Sequence, residues 1–330
     1  KKLKPTKDFI SFASFVSFFP QLVAGPIEKA RDLLPQFSII RKFDHSNAVN
    51  GLRQIFWGFV KKTLIADQCS ETVNLIFSNY NNYQGSTLLL GAVFFSIQIY
   101  GDFSGYSDIA IGTARLFGFR LRKNFSYPYF SKSMAEFWKK WHISLSSWFK
   151  DYVFIPLGGS YHGKIFTIRN IFVTFLVSGL WHGANWTFIF WGGLNAFLLL
   201  PSIIRKERIL KNLQVKKLLF INNILSIIRT FTLVTLGWVF FRSESLKDSF
   251  NYLKNIFSKS FFTIPEILPK ITIIFILIFI LIEWFGKNDK YVFSKIIYLK
   301  KRYRWIIYLI LCFLIFILSS DKKKFIYFQF

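Results

Sequence analysis

Apolar residues run through this chain in long blocks separated by short basic stretches. The clearest blocks are 87–101, 104–119, 165–200, 226–241, 271–285 and 305–319, and several approach the ~20 residues that a helix needs to cross a bilayer. None of them alternates apolar and polar positions with the period of two that a membrane barrel strand requires. The pattern predicts an all-α protein, a polytopic transmembrane helical bundle. Two further apolar stretches are less regular. Residues 9–24 read as one short span or a re-entrant piece, and residues 51–66 are interrupted by Lys61 and Lys62.

The basic stretches orient the blocks. Residues 67–86 contain no Lys or Arg, whereas residues 120–164 carry eight. Because cytoplasmic loops carry the excess of Lys and Arg, the first segment is expected outside and the second inside. The segment 87–119 then crosses once. It is long for one straight helix, and GDFSG at 101–105 is its expected break. The run 165–200 holds 36 residues, roughly 54 Å as a single helix against a hydrocarbon core of ~30 Å. A basic loop with six Lys and Arg follows at 201–217, so the run is expected to leave and return on the inner side, bending near Gly179 and Gly183. The later blocks alternate outward, inward and outward, with the basic loop 286–304 inside. The amino-terminal lysines and Lys322 to Lys324 fit this scheme poorly, since it leaves them outside.

The stretch 133–152, SMAEFWKKWHISLSSWFKDY, has a different rhythm. Met134, Phe137, Trp138, Trp141, His142, Leu145, Trp148, Phe149 and Tyr152 recur at three- and four-residue steps, while Glu136, Lys139, Lys140, Ser147, Lys150 and Asp151 fall opposite. This predicts an amphipathic helix with an aromatic face, lying in the inner interface. Ser133 and Glu136 form a capping box at its start.

Composition agrees with a membrane protein: 52% of residues are hydrophobic, 20% are aromatic, and 43 are Phe. The net charge of +26 would suggest nucleic acid in a soluble chain. Here the cations cluster between apolar runs and do not interleave with exposed aromatics as in a strand-binding groove. Lipid headgroups of the bilayer or an anionic cosubstrate are the partners expected instead, and no nucleic acid. Cys69 and Cys312 have no metal-ligand spacing, so no metal site is expected. The amino terminus shows no signal-peptide pattern.

Two of the four histidines sit where a charge is expensive. His182 stands in GLWHGANWTFIFWGG, residues 179–193, and His142 on the aromatic face of the amphipathic segment. Ionisable groups at membrane depth are costly and usually face a polar interior or pathway. A neutral imidazole can act as a general base near pH 7. Either ring could instead be a packing histidine with a hydrogen bond. On a helix, Ser178, His182, Asn185 and Trp186 share one stripe. Asp102 and Asp108 in the block 87–119 read as a cation site, or as structural groups capping a break or pairing with Arg115. Lys139 and Lys140 are either solvated or phosphate-binding. His45 and His162 lie in polar stretches and are read as surface residues. No serine-hydrolase elbow, phosphate loop or dinucleotide fingerprint occurs.

Several stretches together resemble the membrane-bound O-acyltransferase family, in particular its bacterial polysaccharide O-acetylase branch. They are FFPQLVAGPI (18–27), GDFSGYSDIAIGTARLFGF (101–119), NFSYPYFSKSMAEFWKKWHISLSSWFKDYVFIPLGG (124–159), GLWHGANWTFIFWG (179–192) and the ending FIYFQF (325–330). The resemblance implies an enzyme that moves an acyl group, acetyl above all, from a cytoplasmic thioester such as acetyl-CoA to a hydroxyl of an extracytoplasmic polysaccharide. It implies a multi-pass protein of the bacterial cytoplasmic membrane, with a partner protein outside that completes glycan acylation. The family's invariant histidine matches His182, as general base or acyl acceptor, and its second polar position matches His142. A lining role for Ser178, Trp181, Asn185, Trp186, Trp141, Asp102 and Asp108, and donor contacts for Lys139 and Lys140, are the corresponding expectations. Many members carry histidine and glycine where this chain has Asn195 and Ala196. Typical members also carry further spans before FFPQL, so the expectation is a single membrane-embedded domain over 1–330 that lacks upstream spans. Two rivals stand beside this one. D-alanyl transfer to teichoic acid from a carrier protein stays within the family. A secondary transporter would share broken helices and intramembrane polar groups, but should also show paired halves.

Overall fold

Helices are the expected outcome for apolar runs of this length, because a backbone in lipid must satisfy its own hydrogen bonds. The computed structural model describes residues 6–204 and 216–319, and every regular element among them is helical. In chain order the α-helices are α1 (Phe9–Val16), α2 (Ala30–Phe37), α3 (His45–Phe59), α4 (Asp67–Ser78), α5 (Gly85–Leu116), α6 (Met134–Lys140), α7 (Ile143–Phe149), α8 (Lys164–His182), α9 (Trp186–Ile204), α10 (Lys216–Arg242), α11 (Leu246–Ile256), α12 (Lys270–Gly286) and α13 (Lys301–Leu318). Most of the basic loop 201–217, the amino-terminal lysines Lys1, Lys2 and Lys4, Lys322 to Lys324 and the ending FIYFQF lie outside the described residues.

Among the described residues, four helices are long and apolar enough to cross a membrane: α5, α8, α9 and residues 221–242 of α10. The apolar stretch at 9–24 yields only the eight residues of α1 and a 3-10 turn at Phe19–Gln21. At 1.5 Å per residue α1 is about 12 Å long, too short to span. The expected blocks 271–285 and 305–319 are the helices α12 and α13.

The chain divides into two compact units. The first comprises Lys1–Gln68, Ile99–Ser126 and Thr272–Gln329. Here α3 and the second half of α5 touch backbone to backbone. A Cβ on Gly51 would stand 2.7 Å from the Gly112 carbonyl oxygen, and one on Gly58 would stand 2.6 Å from that of Gly105. Small residues at such crossings let helices in a membrane approach closely. This corrects the expectation of a break at GDFSG. α5 is unbroken over 32 residues, and Gly105 within that motif serves close packing. At roughly 48 Å α5 exceeds the hydrocarbon thickness. Its polar side chains are tolerated because 83% of its most apolar window is buried in protein, against 22% for α8.

α3 continues through a wide π turn, Val60–Ala66, into α4. The turn carries Lys61 and Lys62. Lys61 Nζ lies 2.6 Å from Asp108 Oδ2 and donates to Ser104 Oγ at 2.9 Å. Lys62 Nζ lies 2.7 Å from Asp102 and 2.9 Å from Asp67. Gln54 donates to the other oxygen of Asp108 at 2.6 Å. On α12 the buried residues Thr272, Ile276, Phe279 and Glu283 recur at helical steps. Phe279 stacks on Trp57, and Glu283 accepts from the Tyr100 hydroxyl at 2.7 Å.

The second unit comprises Cys69–Gln98 and Tyr127–Ile271. Its central motif is the hairpin of α8 and α9. A Cβ on Gly179 would meet the Phe188 carbonyl oxygen at 2.3 Å, and one on Gly192 would meet that of Phe175 at 2.3 Å. The apolar run 165–200 therefore breaks after His182, close to the glycines that predicted it. Asn185 starts α9 by accepting from the Thr187 N–H at 3.0 Å, the role of an N-cap.

The segment 133–152 is not one helix, as its periodicity predicts. It forms α6, then α7, then a π turn at Lys150–Phe154. The expected cap is present: Ser133 accepts from the Glu136 N–H at 3.2 Å, and Glu136 accepts from the Lys132 N–H at 2.8 Å. Met134, Phe137, Trp141, His142, Leu145 and Phe149 are buried, while Trp148 and Tyr152 are exposed.

Candidate active site

The site is assembled from two helix breaks in the second unit. One falls at His142. α6 ends where the Trp141 N–H donates to the Phe137 carbonyl at 2.8 Å, and His142 then adopts φ 41°, ψ 54°. That left-handed conformation is uncommon outside glycine, though histidine adopts it more often than most residues. The next residue begins α7. His142 is thus held at a kink, 4% exposed, instead of lying along a helix face. The other break is at His182, the last residue of α8.

Aromatic rings surround the second imidazole. His182 meets Trp191 edge-on at 5.4 Å, Phe241 edge-on at 5.1 Å and Trp181 at 4.9 Å, and Phe188 lies at 6.4 Å. Trp191 stacks on Trp238 at 5.5 Å, and Trp238 lies 5.0 Å from Trp141, the neighbour of His142. Phe137 and Tyr129 close on Trp141 at 5.5 and 6.0 Å. The Tyr129 hydroxyl donates to the Ser96 carbonyl at 2.6 Å. Such ring pairs contribute about 0.5–1.5 kcal/mol each beyond area burial, so the enclosure is stiff. Burial holds the His142 imidazole well below its ordinary 6.5, and the charge that His182 would carry lowers it further. The contacts through Trp191, Trp238 and Trp141 thus connect His182 to the neighbour of His142, although 40 positions separate the two histidines in sequence.

The other expected residues are distributed as follows. Ser178 is buried one turn before His182, and Trp181 is half exposed. Because α8 ends at His182, Asn185 and Trp186 do not share its stripe, which corrects that expectation. Asn185 is a cap that also donates to the Glu244 carbonyl at 3.0 Å, and Trp186 is 71% exposed. Lys139 is exposed, while Lys140 is held by Glu136 at 2.6 Å. Asp102 and Asp108 belong to the first unit and are ion-paired with Lys62 and Lys61, so Asp108 takes Lys61 where the sequence offered Arg115. Asn195 is buried and donates to the Trp191 carbonyl at 2.8 Å. Among the described residues no cluster of His, Cys, Asp or Glu could hold a metal ion.

Sequence reasoning missed Trp191, Trp238, Phe241 and Tyr129. Trp191 stood within the motif around His182 and was legible as a second tryptophan on the return helix. Trp238 and Phe241 lie in an ordinary apolar run and carried no signal of their own.

Comparisons with known proteins bear on this geometry. The family model of the membrane-bound O-acyltransferases (MBOAT) matches residues 2–242. The probable alginate O-acetylase AlgI of Pseudomonas syringae pv. tomato is 43% identical over 241 residues, 73% of this chain and 45% of that protein. The peptidoglycan O-acetyltransferase of Helicobacter pylori is 37% identical over 75% of this chain and 46% of that protein. The teichoic acid D-alanyltransferase of Bacillus subtilis is 30% identical over 56% of this chain and 49% of that protein. The chain spans about half the length of the curated relatives it matches.

Proposed function

Because the chain belongs to the membrane-bound O-acyltransferase family, we propose that it carries that family's acyl-transfer chemistry at His182 and His142. The acyl group is acetyl, the donor is a cytoplasmic thioester such as acetyl-CoA, and the acceptor is a hydroxyl of an extracytoplasmic polysaccharide. The protein works as a multi-pass component of the bacterial cytoplasmic membrane, with a partner outside that completes delivery to the glycan. Acetyl is favoured over D-alanyl by the higher identity and coverage of the two O-acetylases, 43% and 37% against 30%.

One observation carries the reading: two histidines stand at separate helix breaks, and ring contacts through Trp191, Trp238 and Trp141 lead from His182 to the residue beside His142. In the proposed step, the acceptor oxygen attacks the thioester carbonyl carbon. A C–O bond forms, the C–S bond breaks, and the hydroxyl proton passes to His182. The departing thiolate then takes a proton. A general base of this kind is worth about 10²–10⁴ in rate. His142, kept neutral by burial, orients the reacting groups through hydrogen bonding without adding a second charge. Lys139, exposed and outside the Lys140–Glu136 ion pair, is the lysine assigned to the phosphates of the donor.

The test uses the full-length protein in membranes, supplied with a radiolabelled acetyl thioester and its acceptor glycan. His182→Ala should insert normally and lose about 10²–10⁴ of the transfer rate. Transfer at the wild-type rate would remove His182 from the chemistry. Accumulation of an acetyl adduct on His182 after acceptor starvation would replace the base by a covalent acyl carrier. Substrate movement across the membrane without thioester cleavage would favour the transporter.

A further inference from the structure

A cavity of about 1170 Å³ lies wholly within the first unit, bounded by the residues just before α3 and in its first turn, the end of α5 and the loop after α12. Six cations line it: Arg41, Lys42, Arg115, Arg120, Lys290 and Lys295. Only two carboxylates accompany them, and both are occupied. Asp44 caps α3, accepting from the Asn47 N–H at 3.1 Å. Asp289 holds Lys295 at 2.6 Å. Arg41 lies over the Phe119 ring at 3.7 Å, and Arg115 faces Tyr291 at 5.8 Å. Among the described residues no carboxylate pairs with Lys42, Arg115, Arg120 or Lys290. A concave site with this much unneutralised positive charge is built for an anion.

The surroundings say which kind. Two of these cations, Arg120 and Lys290, come from 120–164 and 286–304, the stretches whose basic content marks the inner face. The rim is apolar and open. Phe43, Phe117 and Tyr298 line the cavity and are strongly exposed, and Ile40 beside it is 93% exposed. A water-soluble anion has no use for such a rim. A lipid does, since its headgroup meets the cations while its chains run along the aromatic edge. Basic pockets between helices on the cytoplasmic side are a known way to hold phosphate headgroups, and guanidinium groups suit phosphate by their forked geometry. We propose that this cavity binds the phosphate headgroup of an anionic phospholipid of the inner leaflet. The inference does not depend on the acyl-transfer reading, because it uses no residue assigned to that chemistry.

The experiment measures lipid retention by native mass spectrometry on the full-length protein released from nanodiscs that contain equal parts phosphatidylglycerol and phosphatidylcholine. The wild type should retain phosphatidylglycerol in preference. Arg120→Gln/Lys290→Gln, which alters two exposed side chains, should weaken that retention about 30-fold, at about fivefold per charge near a membrane surface. Lys247→Gln/Lys254→Gln, an equal charge loss on α11 in the second unit, should leave it unchanged. The half-buried Arg115→Gln gives an independent third reading and should also weaken it. Equal retention by wild type and the Arg120/Lys290 variant would overturn the site. Inorganic pyrophosphate bound by the delipidated protein and lost in the same variant, with no preference between the two lipids, would overturn the lipid in favour of a soluble phosphate.

Discussion

In the first unit Lys61 and Lys62 meet Asp108 and Asp102 at 2.6 and 2.7 Å. In the second, His182 is enclosed by tryptophan and phenylalanine rings, and buried His142 follows Trp141, which packs on Trp238. Both arrangements place ionisable groups among apolar helices, where each is expensive and reads at first as functional. They differ in what a proton would do. Removing the charge from one member of a buried ion pair strands the other, at about 3–5 kcal/mol. Such a pair holds helices in place. A neutral imidazole strands no opposite charge when it accepts a proton briefly, so it suits a reaction that needs one moved. Depth in the membrane therefore does not by itself distinguish scaffold from chemistry.

Several substitutions would break or sharpen this contrast. The largest effect is expected on rate: His142→Asn, which tolerates the positive φ, should lower acetyl transfer by about 10²-fold or more while thermal unfolding in detergent stays close to wild type. A parallel loss of stability would make His142 a packing residue. Next, Asp108→Ala should destabilise by about 3–5 kcal/mol, read from the same unfolding curves. The double variant Lys61→Met/Asp108→Leu should recover most of that loss, since buried pairs can be replaced by apolar residues of similar volume. If the double variant unfolds as readily as the single, the pair is more than scaffold. Gly179→Val follows at about 1–3 kcal/mol, because its side chain would meet the Phe188 carbonyl oxygen; this too is measured by unfolding, with transfer falling as α8 and α9 separate. The smallest effect concerns pH. The folded His142 resists a proton that the unfolded chain accepts. Stability should therefore be complete above about pH 6.5 and decline as pH falls below it. His142→Gln should flatten that decline in melting curves between pH 7.5 and 5.5.

The legible and illegible parts divide along physical lines. His182 stood out because an imidazole in an apolar run requires a reason, and its helix break followed from a run too long for the bilayer flanked by glycines. The break at His142 was hidden. The three- and four-residue rhythm continues through Trp141 and His142, and neither Gly nor Pro marks the turn. The opposite error occurred in α5. Gly101 and Gly105 suggest a break by the habits of soluble helices, whereas Gly105 and Gly112 admit close contact with α3. The ion pairs were invisible for a third reason. Arg115 is the nearest cation to Asp108 along the helix, but the partner found in space is Lys61, 47 positions away. The histidine-to-tryptophan enclosure depended on Trp238 and Phe241 in the same way, since only tertiary packing brings α10 to the α8–α9 hairpin.

The positive φ at His142 restricts what can be exchanged there before any question of catalysis arises. A saturation library at codon 142 should pass through two filters. The first is conformational: glycine and asparagine should accumulate to normal levels, while valine, isoleucine and proline should be lost to misfolding. The second is chemical, and among the survivors only a side chain that hydrogen-bonds the reacting groups as the imidazole does would be expected to turn over.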